Sequence, residues 1–61
     1  MKTKVNSNEM EYAIFLREDG KFDVEDAGGS RPLGLRDVGP WETESDATEA
    51  VRQLTPEQAA E

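Results

Sequence analysis

The chain has 61 residues, 14 of them acidic against 7 basic, a formal net charge of −7, and neither histidine nor cysteine. That inventory excludes an imidazole proton shuttle, a thiol nucleophile, a Ser/His pair and an N/S zinc site. The charge argues against direct nucleic-acid or anionic-membrane binding, both of which need clustered Lys and Arg, and points to another protein with a basic surface as partner.

A chain this short buries only about 60% of its unfolded surface, so one small domain with a thin core is expected. Lys2 and Lys4 are followed by Asn6, Ser7, Asn8 and Glu9 rather than by an apolar run, so no export signal is read. The longest apolar stretch, Ala13 to Leu16, is far too short to span a membrane, and the lack of cysteine fits a reducing compartment. A cytoplasmic protein is expected.

Residues 1–9 are polar and carry Val5 as their one apolar anchor after Met1, which reads as a flexible N-terminal segment. The domain is expected over residues 10–54. Met10, Tyr12, Ile14 and Leu16 recur at a spacing of two, and Phe22 and Val24 continue the pattern beyond Glu18-Asp19-Gly20. A two-residue turn would set Leu16 and Ile14 opposite carboxylates. A three-residue loop with Gly20 in the left-handed position pairs Leu16 with Phe22 and Ile14 with Val24, and is the predicted register. It gives one face of Tyr12, Ile14, Leu16, Phe22 and Val24. Glu11, Ala13, Phe15, Arg17, Lys21, Asp23 and Glu25 form the other.

Residues 27–40 are punctuated by Gly28-Gly29, Pro32, Gly34 and Gly39-Pro40, so a long connection is expected, with an optional edge strand over residues 33–36. Ala47, Ala50, Val51 and Leu54 then fall at i, i+3, i+4 and i+7, which predicts a helix from Glu44 to Leu54 capped by Thr43. Trp41 is expected to close one end of the core. Thr55-Pro56-Glu57-Gln58 reads as a fresh helix start, so residues 55–61 are a short helical turn or a frayed tail. The fold class is α+β in ββ(β)α order: an antiparallel hairpin or three-stranded sheet packed against one C-terminal helix.

This order resembles, in layout alone, small ββα and βββα domains such as the arm-binding domains of phage integrases. Those domains present a basic sheet to DNA, whereas the open face here carries Glu11, Asp23 and Glu25 beside Arg17 and Lys21, so the resemblance carries no function over.

Four constellations are candidates for function. The acidic residues Glu18, Asp19, Asp23, Glu25 and Asp26 of the hairpin, with Glu42, Glu44, Asp46 and Glu49 at the helix start, form a band that can imitate a phosphate backbone in a basic groove. The bland alternative is solvated turn and cap residues. Asp23-Val24-Glu25-Asp26-Ala27-Gly28 opens like a calcium loop but has Ala27 at the fifth position and Gly34 at the twelfth, so no metal is expected. Arg31 and Arg36, in the Gly-rich connection, either hold an anionic partner or pair with the chain's own carboxylates. Phe15 and Trp41 are interface candidates, Phe15 through a homodimer across the sheet.

With no nucleophile motif and no room for a cleft, the chain is read as a non-enzyme without a cofactor. The expected function is a small acidic protein-binding or regulatory module, such as a phage-like or accessory inhibitor of a nucleic-acid-binding protein. The alternative is an assembly protein that dimerises through its sheet face or edge.

Overall fold

The structure, a computed structural model, describes residues 2–59. Three antiparallel strands, β1 (Lys2–Ser7), β2 (Met10–Leu16) and β3 (Phe22–Glu25), lie in the order β1-β2-β3. A 3-10 turn η1 (Leu33–Leu35), helix α1 (Glu44–Arg52) and a single-turn helix α2 (Pro56–Ala59) follow. The α+β class and the sheet-then-helix order are those expected.

The strands differ from the sequence reading in two places. Residues 2–7 are not a flexible segment but an edge strand whose partners run from Lys2↔Phe15 to Ser7↔Met10. Asn8 and Glu9 make the two-residue turn, with φ of 53° and 64°, the conformation a type I′ hairpin demands. The usual Asn-Gly signal is replaced by Asn-Glu, and Val5 is the strand's one buried apolar residue, so neither common hairpin marker is present in the sequence. The third strand therefore lies at the N-terminal end of the chain. Residues 33–36 do not form it: Pro32 starts a tight turn in which Leu35 N–H donates to the Pro32 carbonyl at 2.9 Å.

The second hairpin has the expected register, Ile14↔Val24 and Leu16↔Phe22. Its loop closes through Arg17 N–H to the Lys21 carbonyl at 2.7 Å, with Gly20 at φ 84°. Tyr12, Ile14 and Val24, each 1% exposed, line the face beneath α1, joined by Val5 from β1. Ala47, Val51 and Leu54 meet them, and the small Ala47 lets the helix lie close to the sheet. Leu16 departs from the expected core, at 60% exposed. It is the last residue of β2; its cross-strand partner Phe22 packs against the core and exchanges two backbone hydrogen bonds of 2.8 and 2.9 Å with Trp41. Trp41 thus extends the sheet beyond β3 and packs on the core, as expected.

Thr43 caps α1, its Oγ1 accepting from Asp46 N–H at 3.0 Å, and the helix ends at Arg52 rather than Leu54. At α2, Thr55 Oγ1 accepts from Gln58 N–H at 3.3 Å while Gln58 Oε1 accepts from Thr55 N–H at 3.0 Å, a reciprocal capping box behind Pro56. Ala59 is buried, so this turn belongs to the packed domain rather than to a frayed tail; residues 60–61 lie outside the described residues. No helix among the described residues is long and apolar enough to cross a membrane.

Candidate protein-docking surface

The sheet separates the predicted acidic band into parts that do not share a face. Alternation along β3 sends Asp23 and Glu25 to the open face, opposite the one that α1 covers. There each is held by the chain's own cations. Arg31 Nε lies 2.7 Å from Asp23 Oδ1, Arg17 Nη1 lies 3.5 Å from Asp23 Oδ2, and Lys2 pairs with Glu25. Burial pulls the Asp23 pKa upward, but the Arg31 hydrogen bond, the Val24 N–H and the charges of Arg31 and Arg17 outweigh it and hold the carboxyl below its ordinary value. Of the two roles read for Arg31, the internal ion pair is the one the geometry supplies. Arg36 Nε makes a long contact of 3.4 Å with the Arg31 carbonyl.

Asp26 is buried and acts within its own loop: Oδ1 accepts from Gly28 N–H at 2.8 Å and Ser30 N–H at 3.1 Å. Such an Asx-type turn organises the chain reversal after β3. Among the described residues no group of three or more carboxylates is placed to hold a metal ion. Glu18 and Asp19 occupy the hairpin tip, where Asp19 Oδ2 lies 3.3 Å from Arg17. Glu42 lies 3.0 Å from Lys21.

Phe15 is half-buried on the open face, with the Lys2 ammonium 5.6 Å from its ring centroid. Lys2 and Asp23 flank it in register, and an open depression of about 510 Å³ runs from it to Leu16 and the hairpin tip. The charged group over this ring comes from β1. Lys4 lies 3.8 Å from Glu11 and joins β1 to β2. Lysines on an outer strand oppose pairing with another sheet edge.

The described ion pairs use Lys2, Lys4, Arg17, Lys21 and Arg31, five of the seven basic residues, all on the sheet and the loops beside it. The other two, Arg36 and Arg52, lie with the helical elements, where carboxylates outnumber them. Asp37, Asp46, Glu49 and Glu57 are exposed there and make no ion pair among the described residues. Glu9 and Glu18 at the hairpin turns also make no ion pair among the described residues. Glu44 is partly engaged, accepting from Thr3 Oγ1 at 3.0 Å. Asp46 and Glu49 were legible as helix-start acids. Asp37 and Glu57 were not, because the connection and the tail gave no sign that they would fold back beside α1.

Comparison of the chain with models of protein families, with curated proteins and with solved structures finds no match. The functional reading rests on the chain's own residues.

Proposed function

We propose that the chain is a non-catalytic protein-binding module that presents the acidic side of α1, not its sheet, to a partner with a basic surface. The observation that carries this reading is the segregation of charge. Asp23 and Glu25 spend their charge on Arg31, Arg17 and Lys2, whereas Asp46 and Glu49 are exposed and make no ion pair among the described residues, α1 carrying one cation, Arg52, in its last turn. Unpaired surface carboxylates steer a cationic partner and discriminate against anionic ones. A groove-occupying inhibitor of a nucleic-acid-binding protein is the form of this function that the charge favours, and the cysteine-free composition fits a cytoplasmic setting.

Homodimerisation through the sheet has weaker support, since Lys2 caps Phe15 and Lys2 and Lys4 guard the outer strand.

The test is affinity capture from cells with immobilised wild type, an Asp46→Lys/Glu49→Lys/Glu57→Lys variant, and a Glu18→Lys/Asp19→Lys control. Basic proteins retained by wild type and control, released steeply by salt and lost with the helix variant support the reading. Retention unchanged by the helix variant overturns it. A concentration-dependent dimer in sedimentation, converted to a folded monomer by Phe15→Glu, favours the assembly reading instead.

A further inference from the structure

Beside the acidic side of α1 lies a groove of about 260 Å³, floored by Leu35, Val38, Trp41, Ala50 and Leu54. Val38 at its margin is 48% exposed, a large apolar side chain left half in water. We infer that this groove receives one bulky apolar side chain from a partner segment in which that residue is flanked by Lys or Arg. The inference rests on the acidic docking surface proposed above and specifies the partner's chemistry at that surface.

The choice of occupant follows from what surrounds the apolar floor. Asp46 lies four residues before Ala50 on α1 and seven before Gln53, so all three share one side of the helix. Glu49 Oε1 accepts from Gln53 Nε2 at 3.0 Å, which ties a second carboxylate to a residue lining the groove. Asp37 precedes Val38, and Glu57 precedes Gln58, which also lines it. An apolar floor bordered by more carboxylates than cations complements an apolar anchor between cations and disfavours one between acids. Of the cations beside the groove, Arg31 stacks 5.7 Å from the Trp41 centroid and is already paired with Asp23, while Arg36 follows Leu35 and Arg52 precedes Gln53, so the carboxylates around the groove outnumber the two arginines that make no ion pair among the described residues. The arrangement divides recognition: carboxylates attract the segment, and the pocket selects the residue at its centre.

Two short synthetic peptides of alternating Gly and Lys, one with a central Leu and one with a central Ala, test this on the full chain. The Leu peptide is expected to bind about tenfold more tightly. It should also shift Trp41 emission to the blue and move the backbone amide resonances of Leu35, Val38 and Gln53. Val38→Ser should remove most of the Leu advantage, and Ala50→Gln, which fills the floor, should do the same, with amide-resonance dispersion checking that each variant is folded. If both peptides bind equally, and Asp46→Lys/Glu49→Lys abolishes both, the groove inference falls while the acidic docking surface stands. If the Leu peptide instead perturbs resonances around Phe15, the groove inference also falls. If neither peptide binds at millimolar concentration, the docking reading and the groove fall together.

Discussion

Arg31 lies across β3 with its Nε 2.7 Å from Asp23 Oδ1 and its guanidinium over the Trp41 ring, and so joins the connection after β3 to the open sheet face. The same guanidinium donates to the Val38 carbonyl. One side chain thereby fixes three segments that the Gly- and Pro-rich sequence would otherwise leave loosely defined. Arg31→Ala should lower stability by about 1.5–3 kcal/mol, the range for hydrogen bonds to a charged group. Arg31→Lys should recover only part, because an ammonium lacks the planar surface that stacks on Trp41. Urea midpoints measure both; a loss below about 0.5 kcal/mol for Arg31→Ala would remove the tie from the account, since that is the scale of ordinary surface substitutions.

The same pair gives stability a pH dependence of definite sign. Asp23 has a folded pKa below its ordinary value, so the unfolded chain takes up its proton first as pH falls. The contribution is present above about pH 4, near the unfolded carboxylate pKa, and is lost as pH drops through the lower folded value. Urea midpoints followed from neutral pH into the acid range should fall below about pH 4, with a shallower slope in Asp23→Asn. Parallel profiles for wild type and variant would show that other carboxylates carry the acid sensitivity.

Glu9 holds a backbone conformation, φ 64°, that glycine adopts at little cost. Its neighbour Asn8 suits the left-handed region and also anchors the turn, Nδ2 donating to the Leu54 carbonyl at 2.8 Å. Glu9→Gly should therefore stabilise the protein by about 0.5–1 kcal/mol, the relief of strain exceeding the entropy that glycine adds to the unfolded chain. Asn8→Ala should destabilise it by losing both the turn preference and the tie to Leu54, just beyond α1. Thermal unfolding of the two single variants gives opposite signs if this assignment of the turn is right.

That turn also marks where the sequence was hard to read. Strand β2 and strand β3 declare themselves because Met10, Tyr12, Ile14 and Leu16, then Phe22 and Val24, recur at a spacing of two, and their register follows from asking which loop keeps apolar residues opposite one another. Strand β1 alternates equally well, but with Thr3 and Ser7 beside Val5 on its inner face and lysines outside, so hydrophobicity does not reveal it. Leu16 shares the periodicity of the core face but stands at the end of β2 and is exposed, which spacing does not reveal. The acidic residues were visible as a composition, but their pairing was not. It depends on Lys2 crossing the sheet to Glu25 and on Arg31 returning to Asp23, separations of 23 and 8 residues. The apolar groove required η1, the connection and α1 to be placed together, and periodicity is silent about that.

Gly34 sits where α2 closes on η1, and it is the absence of a side chain that lets them meet. A Cβ placed on Gly34 would lie 2.5 Å from Gln58 Cβ and 2.9 Å from Gln58 Cγ, well inside contact distance. The backbone there is not in the left-handed region, so the cost of Gly34→Ala is steric rather than conformational. Helix α2 is a single turn held by the Thr55/Gln58 box and the buried Ala59, and it should yield before the sheet does. Gly34→Ala is expected to cost about 1–3 kcal/mol, with amide-exchange protection lost first over residues 56–59. Gln58→Gly removes the obstructing Cβ and Cγ at the expense of the cap. In the Gly34→Ala background it should therefore cost less than in the wild type, by at least about 0.5 kcal/mol. A double-mutant cycle reads that difference directly, and strict additivity would mean that the two residues do not meet.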